Sequence, residues 1–256
     1  MTVFQRTAQW MFPNPNYHRF VPDGDRWAMR HLPFYGRWFR FLTFYPGAGL
    51  TIEGSRIDPA FDDGDGLAIS ERNRATRDVF WQMISTQLAD HPALLAKVLP
   101  DYPVTAKRML QDNGSWLDCL KTDNVELVRT GIDRIVADGV ITEDGAFHAA
   151  DIICYATGSR HGSLIFQSES QMHYIMGALR ELLAEGHRTL EPRLDIHDDY
   201  SRRYQAEIAQ MVWAHWSVKH SHYKNADGRI FTLSPWPIPT YWRWTSHFEP
   251  SDYVYT

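Results

Sequence analysis

Apolar positions at helical spacing, Val79, Phe80, Met83, Ile84 and Leu88, follow Ser70, whose hydroxyl suits a helix N-cap, and predict a helical region over 70–99 that ends near Pro100. The stretch before it is different. From Trp10 to Ile69 aromatics crowd together with Pro and Gly, as in Phe12-Pro13-Asn14-Pro15-Asn16-Tyr17 and Tyr45-Pro46-Gly47. Periodicity there is confined to Trp38–Phe44, which predicts loops and short helices. After Pro103 a short helix is expected around Trp116–Leu120, then β-branched runs at 125–128, 132–136, 139–141 and 152–155. Asp138-Gly139 and Asp144-Gly145 read as hairpin turns between them. The run Ile152-Ile153-Cys154-Tyr155 is apolar throughout, which predicts a strand buried on both faces and ending at Ala156-Thr157-Gly158. Leu164–Leu183 and Tyr200–Trp213 return to helical spacing, so the last third is expected to be mostly helical. At the front, Met1-Thr2-Val3-Phe4 before Gln5-Arg6-Thr7 reads as the inside of a strand, which suggests that a preceding segment is missing.

Composition narrows the class. A chain of 256 residues with 44% hydrophobic and 22% charged residues can bury the core of one or two globular domains. Net charge of -5 gives no basic footprint for nucleic acid or an anionic membrane surface, and neither partner is expected. No run of about 18 apolar residues is present to span a membrane. The two cysteines, Cys119 and Cys154, are read as reduced thiols in apolar surroundings, which fits a cytoplasmic location.

The chemistry-bearing candidates are cationic. Arg6 stands where the second strand of a dinucleotide-binding βαβ unit would end, and an arginine there accommodates the 2'-phosphate of NADP through two parallel hydrogen bonds. An ordinary surface arginine gives the same spacing. Lys107 and Arg108 follow a Pro-bounded loop, and adjacent side chains diverge, so they could serve two anionic groups or simply form a solvated pair. No G-x-G-x-x-G is present; Gly47-Ala48-Gly49 and Gly64-Asp65-Gly66 read as turns. The histidines, His173, His187, His215, His220 and His222, have no metal-site spacing, so no metal is expected. Asp62-Asp63 and Asp198-Asp199 read as solvated faces or caps, and no hydrolase or P-loop signature occurs.

Four blocks taken in order, Phe4-Gln5-Arg6-Thr7 with Trp10 and Pro13, Tyr102-Pro103 leading to Lys107-Arg108, Asp151 to Gly158, and Ser221–Arg229 followed by Ser234-Pro235-Trp236-Pro237, resemble Baeyer-Villiger monooxygenases, closest to the 4-hydroxyacetophenone branch. The resemblance implies an α/β flavoprotein in which NADPH reduces FAD and the reduced flavin, with O2, inserts an oxygen into a ketone to give an ester or lactone. It implies that Arg6 and Thr7 hold the 2'-phosphate and that Lys107 is a second phosphate contact. Arg108 matches the catalytic arginine, whose fixed charge stabilises negative charge on the oxygenated flavin. Ala156, Thr157 and Gly158 match a turn that approaches the flavin closely.

Departures from that pattern shape the expectation as much as the matches. The FAD fingerprint is absent, and Phe34-Tyr35-Gly36 opens like the family hallmark but is followed by Arg40 and Phe44 where His and Trp are required. Only Ser159, Arg160 and His161 separate Gly158 from Gly162, where the family has a long stretch. The expected architecture is therefore an incomplete two-dinucleotide-binding-domain α/β flavoprotein with a helical C-terminal segment, truncated and internally deleted. Its expected parts are residues 1–100 as the remainder of the NADPH-binding domain with a helical insertion, 101–158 as a β-rich return, and 159–256 as the helical part of the FAD domain. Such a chain would neither bind FAD nor act alone, and would need a complementing chain. The alternative is a non-catalytic remnant or interaction module that binds no cofactor and self-associates through Trp236, Tyr241, Trp242 and Trp244.

Overall fold

A computed structural model of the chain describes residues 1–155, 164–219, 221 and 223–256, with backbone alone described for 43–51 and 164–166. In chain order its elements are β1 (Thr2–Phe4), β2 (Met11–Pro13), α1 (Asp23–His31), α2 (Tyr35–Glu53), α3 (Glu71–Gln87), α4 (Pro92–Val98), β3 (Leu110–Asp112), α5 (Ser115–Leu120), β4 (Glu126–Val128), β5 (Ile132–Val136), β6 (Gly139–Thr142), β7 (Phe147–Ala149), α6 (Leu164–Glu185), β8 (Leu190–Pro192), α7 (Leu194–Ile208), α8 (Ile238–Thr245) and β9 (Tyr253–Tyr255). They form two compact units, each discontinuous in sequence: residues 1–21 with 61–159, and residues 22–60 with 160–256.

The first unit is built on two parallel strand pairs, β1 with β4 and β2 with β3, and an antiparallel meander β5-β6-β7. Parallel pairing demands a long crossover, and the intervening helices supply it. Ser70 caps α3 as its position suggests, its hydroxyl oxygen accepting from the Asn73 N–H at 3.1 Å. Phe80, Ile84 and Leu88 turn into the core, where Trp10 and Phe80 lie 6.3 Å apart. The meander turns where Asp-Gly predicts, with Gly145 at φ 82, a left-handed conformation that glycine adopts without a Cβ clash. Asp63 closes the acidic loop by accepting from the N–H groups of Gly66 and Ala68, and Arg77 lies 3.5 Å from its carboxylate.

Two expectations fail in these residues. Ile152-Ile153-Cys154-Tyr155 is neither a strand nor buried: Ile152 is 82% and Tyr155 76% exposed. The meander is closed by β7, and among the described residues no strand lies beside 152–155, so the run lacks the two neighbours that would bury it. Cys154 is exposed with it, contrary to its reading as a buried thiol, while Cys119 is half-buried in α5.

The second unit is mainly helical, with α6 against α8 and α1 against α2, and a short antiparallel pair β8-β9. The C-terminal helical content agrees with the spacing of its apolar residues. The long helix α2 does not agree with the loops expected before residue 69; it runs for 19 residues through Pro46, Gly47 and Gly49. A proline removes one N–H from the helical ladder and bends the helix without abolishing the bonds of the flanking turns, so breaker residues misread the segment. Here too Arg56 pairs with Glu207 at 3.3 Å, and the N–H of Ile57 donates to the Gln210 carbonyl at 2.8 Å.

Candidate functional site

All four cations and hydroxyls read from the sequence within the first 108 residues, Arg6, Thr7, Lys107 and Arg108, belong to the first unit. β1 delivers Arg6: the Gln5 N–H donates to the Val128 carbonyl at 2.9 Å and carries the ladder one residue past the strand, after which the chain bends and leaves the Arg6 side chain exposed. The backbone is held at this bend. Arg129 donates from Nη2 to the Arg6 carbonyl at 3.3 Å and from Nη1 to the Lys97 carbonyl at 2.9 Å, and Gln9 Nε2 donates to the Thr7 carbonyl at 3.2 Å.

The loop carrying Lys107 and Arg108 is anchored from three directions. The Tyr102 hydroxyl donates to the Ala8 carbonyl at 2.8 Å, Trp10 Nε1 donates to the Tyr102 carbonyl at 2.9 Å, and Asn73 Nδ2 donates to the Val104 carbonyl at 2.9 Å, all in buried surroundings. Val104 and Ala106 are wholly buried. Between them Thr105 sits at φ 72, a left-handed conformation that costs a non-glycine residue about 1 kcal/mol or more and persists where its surroundings over-determine it. Such outliers cluster at binding and catalytic loops.

What the loop presents is positive charge, and among the described residues neither Lys107 nor Arg108 forms an ion pair. Lys107 Nζ lies 4.4 Å from the centroid of the Tyr102 ring, a cation–π contact. Burial holds the Lys107 ammonium below its ordinary pKa, the Asp101 charge opposes that, and the Arg6 charge adds to it, so Arg6 and Lys107 are electrostatic neighbours. Arg108 Nη1 is buried and has no hydrogen-bond partner among the described residues. A buried donor left unmade costs about 1–3 kcal/mol, more on a charged group, and an anionic acceptor at Arg108 would remove that cost. The residues therefore fit a phosphate on Arg6 and Lys107 and a further anion on Arg108.

They do not fit the pyrophosphate of a dinucleotide. A strand, a glycine and a helix occur in order at β3, Gly114 and α5, but Asp112 already takes the N–H groups of Gly114 and Trp116, at 3.0 and 2.9 Å, and the hydroxyl of Ser115 at 2.7 Å. A carboxylate occupies the place where a phosphate would bind. Ala156, Thr157 and Gly158 lie outside the described residues, as do His220 and His222. Among the described residues no group of His, Cys, Asp and Glu could hold a metal ion. Arg40, at the position of the hallmark's His, pairs with Glu169 at 2.6 Å within the second unit. Asn73 carries no motif that would single it out as structural to the site; Tyr102 has a signal, as the aromatic residue before Pro103 in the block leading to Lys107 and Arg108.

No family model matches the chain. It is 28% identical over 306 aligned positions to an uncharacterized monooxygenase of Sinorhizobium fredii, covering 99% of this chain and 46% of the relative. It is 22% identical over 310 positions to a Baeyer-Villiger monooxygenase of Pseudomonas aeruginosa, covering 100% of this chain and 55% of the relative. The chain thus spans about half the length of the curated relatives it matches, and, since it has 256 residues, those relatives carry further residues inside the matched span. The solved structure of OTEMO in complex with FAD and NADP superposes with a TM-score of 0.69 at 15% identity, over 100% of this chain and 61% of that one. By sequence over nearly its whole length the chain is homologous to monooxygenases that include proteins named Baeyer-Villiger monooxygenase, and its α/β fold is that of such flavin enzymes.

Proposed function

We propose that the chain is part of a Baeyer-Villiger-type monooxygenase, dependent on FAD, NADPH and O2, that converts a ketone to an ester or lactone. Its own share is a cationic platform on which Arg6, Thr7 and Lys107 hold the 2'-phosphate of NADPH while Arg108 offers positive charge to an anionic reacting group. The observation that carries this reading is the buried, unpartnered Arg108 Nη1 beside the partly desolvated Lys107.

FAD supplies the redox and oxygen-activating chemistry in enzymes of this type. The described residues hold no cradle for its pyrophosphate, so no step through the flavin is assigned to them. The work proposed for this chain is binding and electrostatics. Arg6 and Lys107 select a phosphorylated ribose over a bare hydroxyl, since an arginine fork and an ammonium both gain from two negative charges. Arg108 Nη1 is buried, and positive charge held away from bulk water pulls more strongly on developing negative charge. These residues alone are proposed not to complete the reaction, which also needs a site for FAD.

The test is a titration of the full chain with NADP+, NAD+ and FAD, followed by calorimetry and by the flavin absorbance band. NADP+ is expected to bind more tightly than NAD+, with no flavin retained; equal binding of the two nucleotides would overturn the phosphate reading. A second reading, a non-catalytic module that self-associates, draws on the exposure of Trp242 and Trp244, 52% and 42%, whereas Trp236 and Tyr241, expected on the same surface, are half-buried, Trp236 against Tyr200 and Tyr204. Gel filtration separates the two, since a monomer that binds NADP+ speaks for the first.

A further inference from the structure

We propose that Tyr102 is the positioning residue of the cationic platform, setting the spacing between Arg6 and Lys107 from one side chain; this rests on the phosphate-binding reading above. The geometry is two-ended. At one end the Tyr102 hydroxyl grips the Ala8 carbonyl at 2.8 Å, two residues after Arg6. At the other, the face of the same ring carries the Lys107 ammonium, 4.4 Å from the centroid. Its own carbonyl is fixed in turn by the Trp10 indole at 2.9 Å. Tyr102 is 2% exposed, so the ring is locked by packing and cannot follow Lys107 if the ammonium moves.

A lysine is a point charge on a flexible four-carbon stem, and free rotation would spread its ammonium over a wide shell. Holding it on a rigid ring restricts that shell before any ligand arrives, which lowers the ordering cost of binding. The groups that face the ammonium are the Tyr102 ring, Asp101 and Arg6. Asp101 is exposed and on the chain next to Tyr102, so the ring is the rigid member of that set. Arg129, by holding the Arg6 carbonyl, fixes the opposite side of the platform.

The inference is tested on the full chain with Tyr102→Phe, which keeps the ring and loses the hydroxyl, and Tyr102→Leu, which loses both. The chain has five lysines, so after reductive methylation with carbon-13 formaldehyde the Lys107 resonance is assigned by its loss in Lys107→Arg. In the wild type and in Tyr102→Phe that resonance is expected to be shifted upfield by the ring current; in Tyr102→Leu it is expected at the position of the other lysines. A wild-type Lys107 resonance without such a shift overturns the proposal whatever the ligands do. The second readout is the ratio of affinities for 2',5'-ADP and 5'-AMP, which loosening of the fold would lower together and loss of positioning would change apart. Tyr102→Leu is expected to cut the ratio by about five- to tenfold, the scale of one cation–π contact, and Tyr102→Phe by less. A ratio near one already in the wild type removes the phosphate reading on which the inference rests. A high wild-type ratio that falls in Lys107→Met but is unchanged in Tyr102→Leu removes the positioning role alone.

Discussion

The amide nitrogen of Asn73, near the start of α3, donates to the carbonyl of Val104 at 2.9 Å, joining the helix to the loop that carries Lys107 and Arg108. Both groups are buried, so the bond has no solvent substitute. Asn73→Ala is expected to destabilise the chain by about 1–3 kcal/mol in urea unfolding, with an unchanged dependence on denaturant. A loss below about 0.5 kcal/mol, the usual span of surface substitutions, would show that the loop is held by other means.

Arg108 is expected to behave in the opposite way. Its buried Nη1 has no hydrogen-bond partner among the described residues, so Arg108→Met, which keeps much of the volume, is expected to leave stability unchanged or to raise it by about 1 kcal/mol. A residue that binds and does not support the fold has this profile. A large drop in unfolding free energy would mark Arg108 as structural and would falsify its proposed role.

Asp112 gives a pH-dependent prediction. Burial pushes its carboxyl upward, but hydrogen bonds from Ser115, Trp116, Asn113 and Gly114 outweigh burial and hold it below the ordinary aspartate value. A lowered carboxylate pKa adds stability above the unfolded value, about 3.9, and that stability is lost as pH falls through the folded value. Asp112→Ala is therefore expected to cost about 0.5–2 kcal/mol at neutral pH, the usual worth of a helix cap, with the gap to wild type closing below about pH 4. A gap constant from pH 7 to 3 would contradict this account.

Cys154 and Cys119 differ in exposure, and their reactivity is expected to follow. Ellman's reagent is expected to modify Cys154 rapidly in the folded chain and Cys119 more slowly, with Cys154→Ser removing the fast phase and leaving stability unchanged. A single slow phase for both would mean that residues 152–155 are covered in solution.

Much of the local structure is legible in the sequence and much of the site is not. Ser70 and the spacing of Phe80, Ile84 and Leu88 specify α3 because capping and amphipathicity act within a few residues. The Asp-Gly turns specify the meander for the same reason. The run 152–155 misleads because an apolar strand is defined by its neighbours, and among the described residues no strand lies beside it. Pro46 and the glycines after it obscure α2 because a helix of 19 residues tolerates breakers that would end a shorter one. The cations themselves are visible in the sequence. Their convergence is implied by the family resemblance and not by periodicity, since no periodicity encodes a contact such as that of the Tyr102 hydroxyl with the Ala8 carbonyl, 94 residues away.

The pairing of β1 with β4 sets an order of events during synthesis. Thr2, Val3 and Phe4 find their partners at Glu126, Leu127 and Val128, so everything between β1 and β4 must leave the ribosome before β1 can pair. Contacts of such sequence separation slow folding and leave the early segment waiting. A nascent chain stalled before residue 126 therefore presents Val3 and Phe4 unpaired to whatever chaperone is near, and protection of β1 from proteolysis is expected to begin only once β4 has emerged.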